Sequence, residues 1–236
     1  MGYTLEGTAV GGDTSKDHTM RINLMKAANP PMSDLDAAFD AVVNACEQIQ
    51  NRQTSHNMEI PGYVVKKYTT DKNINCTSKF DSGNQFLDNH GFTEGQFTWI
   101  YECNNDNAAE AAIKGAWESR SQGFVSNGSR WYDEEHMLGV MAIHESFHPF
   151  LIDYCVQLQM HTGAQEHSLG HDIVENNQNM CTPMAASYED DPDYDFEQSG
   201  ECGQDYNTDG VTETLSDCTI KAMQDSRDHA YHNGVH

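Results

Sequence analysis

"LGVMAIHESFHPFLI", residues 138–152, is an apolar run that carries two histidines, a glutamate and a proline. Asp133, Glu134 and Glu135 precede it, acids that suit the positive end of a helix dipole, so a long helix should begin there. Positions four apart on a helix are only about 40° out of line. His144 and His148 therefore project from one face, about one turn apart, and both imidazoles can reach the same ion. Pro149 lacks the N–H that would bond the carbonyl of Glu145, and it pushes His148 away from helical angles. A kink or break just after His148 follows. Both histidines and Glu145 precede the ring, so their relative geometry survives. The apolar residues from Phe150 to Leu158 would continue as a redirected helix.

The rest of the chain bounds what such a site can serve. At 236 residues it is long enough for one sizeable domain, with an N-terminal part over about 1–160 and a C-terminal part over 161–236. Its 13 basic and 37 acidic residues give a net charge of -24. A surface that negative repels nucleic acid and anionic lipid and suits a salty medium or a cationic substrate. No run approaches the ~18 apolar residues of a membrane span. Seven cysteines, with no C-x-x-C pair, argue against a zinc ribbon or a redox motif. Two sequons occur, at Asn75 and Asn127. Together these features predict a secreted monomer with two or three disulfides, its signal peptide already removed.

The elements read as an α+β layout. Strands are expected at "YTLEGTAV", at "GYVVKKYTT" (62–70) and at "FTWIYEC" (97–103), the last two rich in β-branched and aromatic residues. "PPMSDLDAAFDAVVNACEQIQNRQ" is the clearest helix of the first half. Ser33 is its expected N-cap, and Leu35, Phe39, Val42, Cys46 and Ile49 share its buried face. "NDNAAEAAIKGAWESR" reads as a shorter helix and "GFVSNGSRWYD" as a turn region. Beyond 160 glycine, asparagine and aspartate dominate, and only "TETLSDCTIKAMQDSRDHAY" is helical again.

Histidine nitrogens at this spacing suit zinc, which takes such ligands at ~2.0 Å in tetrahedral geometry. A catalytic zinc keeps one position open for water and lowers its pKa to about 7. Glu145, beside the first ligand, can take that water's proton and pass it to a leaving amine. With 12 histidines in the chain, H-E-x-x-H arises by chance only roughly 0.04 times. The residues His144-Glu145-Ser146-Phe147-His148 resemble the active-site helix of the zincin metallopeptidases. The resemblance implies a zincin-like fold: a small mixed sheet, an active-site helix and a loop-rich C-terminal half with a closing helix. It also implies a zinc-dependent endopeptidase acting on protein or peptide substrates. A zincin-like domain that holds metal for structure or binding, or a zinc hydrolase of a non-peptide substrate, stays open beside it.

The metzincin branch extends the motif to H-E-x-x-H-x-x-G-x-x-H, and here those last positions are Leu151 and Tyr154. The third ligand must then come from further on. His167, in "EHSLGHD", is favoured because Gly170 could let the backbone turn close to the metal. His171, Glu166, Glu175 and His161 are the alternatives. "CTPMAASYED" is similar to the metzincin Met-turn, with Met184 beneath the metal, against an ordinary core methionine. Tyr188 could stabilise an oxyanion through its hydroxyl. Finally, Asp205, Asn207, Asp209 and Gly210 follow the D-x-N-x-D-G order of calcium loops, although Ser216 stands where the last acid belongs and Asp217 comes one residue late. A plain acidic turn is the other reading of that stretch.

Overall fold

A computed structural model describes residues 2–14, 19–52, 60–103, 109–112, 116–117, 119–127, 135–151, 169–170, 172–184 and 210–233. The chain is α+β. Strand β1 (Tyr3–Gly11) and strand β2 (Met20–Lys26) lead into helix α1 (Met32–Asn51) and strand β3 (Tyr63–Thr70). A 3-10 turn at Cys76–Ser78 opens helix α2 (Lys79–Asn89), followed by β4 (Gly95–Tyr101), β5 (Ala109–Ala112) and β6 (Arg120–Ser126). Helix α3 (Glu135–Phe147) runs into a 3-10 turn at His148–Phe150. Beyond it come β7 (Asp172–Glu175), β8 (Gln178–Cys181), β9 (Gly210–Val211) and helix α4 (Asp217–Asn233).

Six strands form one mixed sheet in the order β1-β3-β2-β4-β6-β5. The four central strands are parallel, and the two edge strands run antiparallel to their neighbours. Period-two alternation along β4 divides its side chains between two cores. Phe97, Trp99 and Tyr101 join Phe86 and Leu87 of α2 in an aromatic cluster on one face. Ile100 points the other way, into the larger core that α1, α3 and α4 build with Ile22, Leu24 and Val65. Leu169, Met184, Leu215 and Met223 belong to that same larger core, so residues on both sides of position 160 share it. A second sheet, β7-β8-β9, begins with a tight hairpin whose turn residues Asn176 and Asn177 take left-handed φ of 53° and 64°.

Several sequence expectations are corrected. Residues 109–112 lie within the stretch expected to be helical, yet they form strand β5, pairing Ala109 to Val125 and Ala112 to Gln122. Tertiary pairing with β6 overrides the helix propensity of alanine. Gly123–Ser126, expected in a turn, are buried in β6, and the turn comes at Asn127. Ser33 does not cap α1: the helix starts at Met32 after Pro31, and the Ser33 hydroxyl bonds Asp34. Thr212–Ser216 stay outside α4. Strand β2 and helix α2 carry no local signal of their own in the sequence. β2 is buried on both faces and so lacks alternation, and α2 carries little apolar content. The face expected to be buried on α1 is correct at Leu35, Val42, Cys46 and Ile49, with Phe39 partly buried.

A disulfide, Cys76–Cys103, ties the start of α2 to the end of β4, and Cys218 is disulfide-bonded as well. Of the two sequon asparagines, Asn75 is exposed at the cap of its 3-10 turn, whereas Asn127 gives its amide to Asp34 at 2.6 Å.

Candidate metal centre

Helix α3 lies across β4 and β6 because its residues are apolar almost all round; Val140, Ala142, Ile143 and Phe147 are fully buried. It carries His144 and His148 to one point. Their Nε2 atoms stand 2.7 Å apart, and the rings meet edge to face with centroids at 4.3 Å. Two imidazole nitrogens on one tetrahedral zinc stand about 3.3 Å apart, so the pair needs to open by only about half an ångström to hold it. The Nδ1 of His144 lies 2.5 Å from the carbonyl oxygen of Pro183. A carbonyl only accepts, so His144 carries its proton on Nδ1 and turns a bare Nε2 lone pair toward His148. A backbone carbonyl that fixes the tautomer in this way is how metal-binding histidines are commonly oriented. These two nitrogens, as two of a zinc ion's ligands, are compatible with its geometry.

The break expected at Pro149 is present; the redirected helix expected from Phe150 does not begin at Phe150 or Leu151, and residues 152–158 lie outside the described residues. α3 ends at Phe147, His148–Phe150 tighten to 3-10 geometry, and Leu151 is extended. Carbonyls freed at this end find partners. Pro149 O accepts from Ala116 N at 2.9 Å, Phe150 O from Trp117 Nε1 at 2.6 Å, and His148 O from Leu151 N at 3.1 Å. The ring of Trp117 also meets Phe150 edge to face at 5.0 Å. His148 is thus held in a defined turn although the α-helix has stopped.

Under the helix, two polar side chains of β4 face the site where apolar ones would be expected. Gln96 Nε2 lies 3.1 Å from Glu145 O, and Thr98 Oγ1 lies 2.8 Å from Ser146 Oγ. Gly123 of β6 makes room for this approach: a Cβ there would stand 2.9 Å from Gln96 Nε2 and 3.0 Å from Glu145 O. Sequence reading missed these three residues and Pro183. The signal at Gln96 and Thr98 was visible, two polar residues alternating with Phe97 and Trp99 in a strand.

The remaining site residues divide by where they fall. Met184, next to Pro183, is fully buried in the larger core with Phe147, so the "CTPM" segment does lie against α3. Glu175 is on β7, its carboxylate taken by Thr212 at 2.6 Å and Thr214 at 3.3 Å. His161, Glu166, His167, His171 and Tyr188 lie outside the described residues, as do Asp205, Asn207 and Asp209. Among the described residues no third metal-ligating side chain joins His144 and His148. Ser216, at the end of the candidate calcium loop, caps α4 by accepting from Thr219 N at 2.9 Å, and Asp217 pairs with Arg52.

Compared with known proteins, the chain matches no family model, and no curated protein matches it.

Proposed function

We propose that the chain is a secreted zinc-dependent endopeptidase. The observation that carries this reading is the convergence of the His144 and His148 Nε2 atoms, with Glu145 on the same turn of helix and the His144 tautomer set by Pro183. His144 and His148 hold zinc, and His167 is the proposed third ligand. Zinc, when bound, polarises a peptide carbonyl and acidifies the water beside it. Glu145 would serve as the general base, its carboxylate accepting a proton and passing it to the departing amine. Tyr188 is the proposed donor to the developing oxyanion.

Two further features support a peptide substrate and a secreted setting. Strand β5 is an edge of the large sheet, pairing with β6 alone among the described residues. An edge strand beside α3 can accept an extended peptide as an added strand. The disulfide Cys76–Cys103 favours an oxidising compartment.

Burial favours one competing reading. His144, Glu145 and His148 are only 5%, 3% and 4% exposed, which suits a closed zinc site with four protein ligands and no catalysis. One experiment separates the two: a mixed peptide library is incubated with the zinc-loaded chain and with Glu145→Gln, and the cuts are read by mass spectrometry. The endopeptidase reading expects cuts by the unmutated chain and a loss of at least about a thousandfold in Glu145→Gln, with one zinc retained in both. Equal cleavage by the variant removes Glu145 from the chemistry. An uncut library with zinc in place transfers the assignment to the closed site or to a hydrolase of a non-peptide substrate.

A further inference from the structure

An α-helix gives the carbonyl of residue 145 to the N–H of residue 149, and residue 149 is proline. The donor that reaches Glu145 O from the sheet is Gln96, at 3.1 Å in a fully buried setting. The same Nε2 also lies 3.1 Å from Thr98 Oγ1, and the Glu145 carbonyl, which only accepts, fixes the orientation of the amide. Thr98 in turn reaches Ser146, the residue after Glu145, at 2.8 Å. Two successive residues of the metal-binding turn are thereby tied to one strand.

An apolar side chain of similar length at 96 would fill the same space. Gln96 instead leaves its Oε1 buried with no hydrogen-bond partner among the described residues, a cost that the apolar residue would not incur. The amide is useful for its donor. We propose that Gln96 is a positioning residue for the metal centre: its Nε2 replaces the N–H that Pro149 lacks and sets the depth and rotation of the His144–His148 turn above β4. The proposal rests on the reading of this turn as a zinc centre and adds the group that orients it.

The test is a double-mutant cycle in the full-length chain with Gln96→Met and Pro149→Ala. Gln96→Met keeps the length and removes the donor, and Pro149→Ala returns an N–H four residues after Glu145. Zinc affinity is measured by competition with a chromophoric chelator, and kcat and KM on a peptide that the unmutated chain cuts. Gln96→Met is expected to weaken zinc binding about tenfold and to lower kcat with KM little changed, a coupling of ordinary size for contacting residues. Adding Pro149→Ala is expected to recover most of both losses. A double variant no better than Gln96→Met alone overturns the proposal, because a side chain that merely fills space does not care whether residue 149 has an N–H. Should Gln96→Met fail to fold, circular dichroism becomes the readout: a folded double variant supports the proposal and an unfolded one overturns it. If the unmutated chain cuts no peptide, the endopeptidase reading fails while the zinc-affinity cycle still decides the role of Gln96. A chain that binds no zinc sinks both.

Discussion

Cys46 is a thiol that the fold keeps neutral. It sits fully buried on α1, and burial first, with the Glu47 carboxylate second, pushes its ionisation far above the ordinary value near 9. The folded chain therefore keeps this proton where the unfolded chain gives it up, so the stabilisation is complete below about pH 9 and declines as pH rises beyond it. Stability is expected to fall by up to about 1.4 kcal/mol per pH unit in that range from this group. Urea unfolding at pH 8 and pH 10 checks this, with Cys46→Ala as the comparison that should flatten the decline. Residues at this scale also divide by what sequence could reveal. The approach of His144 to His148 was legible because one helical turn brings the two rings together and spacing alone encodes it. Gln96 was not, because the carbonyl it serves lies 49 residues away and only the stacking of α3 on β4 unites them. Pro149 gave half of that answer, marking which carbonyl would need a partner without naming the donor.

Among the elements, those with their own local signal were legible. The buried face of α1, the apolar length of α3 and the β-branched run of β3 all announce their period. β5 did not, since its alanines favour a helix until β6 supplies a partner. Nor did β2, a strand with no exposed face to alternate. The closing helix α4 was read, but its start was not, and the reason is its cap. Ser216 accepts from Thr219 N at 2.9 Å and approaches Leu169 O at 2.5 Å, so one hydroxyl both starts the helix and pins a distant carbonyl. Ser216→Ala is expected to cost about 1–2 kcal/mol of stability, read as a lower midpoint in urea at unchanged slope. A midpoint that does not move would mean that α4 is held by its buried face alone.

For the whole molecule, charge is the property that sequence states without ambiguity. A net charge of -24 gives the molecule as a whole a negative field. Cationic peptides should then be cut more slowly as salt is raised, by severalfold in kcat/KM between about 20 and 200 mM, while neutral peptides of equal length change little. Equal salt responses for the two would remove steering from the account. The α+β class and the closing helix were readable at this scale. The strand order was not, because four parallel strands are joined through crossovers whose geometry no local pattern carries.

That strand order bears on when the centre can exist. α3 follows β6 in the chain, its turn is tied down by Gln96 from the middle of the sheet, and the His144 tautomer awaits Pro183 beyond β8. The large sheet is built from pairings distant in sequence, which form late and slowly. An ion arriving early would meet two histidines on an untethered helix whose ring protons are still free to exchange between nitrogens. If the proposed zinc binds, its capture belongs late in the life of the chain, after the sheet is complete, rather than at the seed around which it gathers.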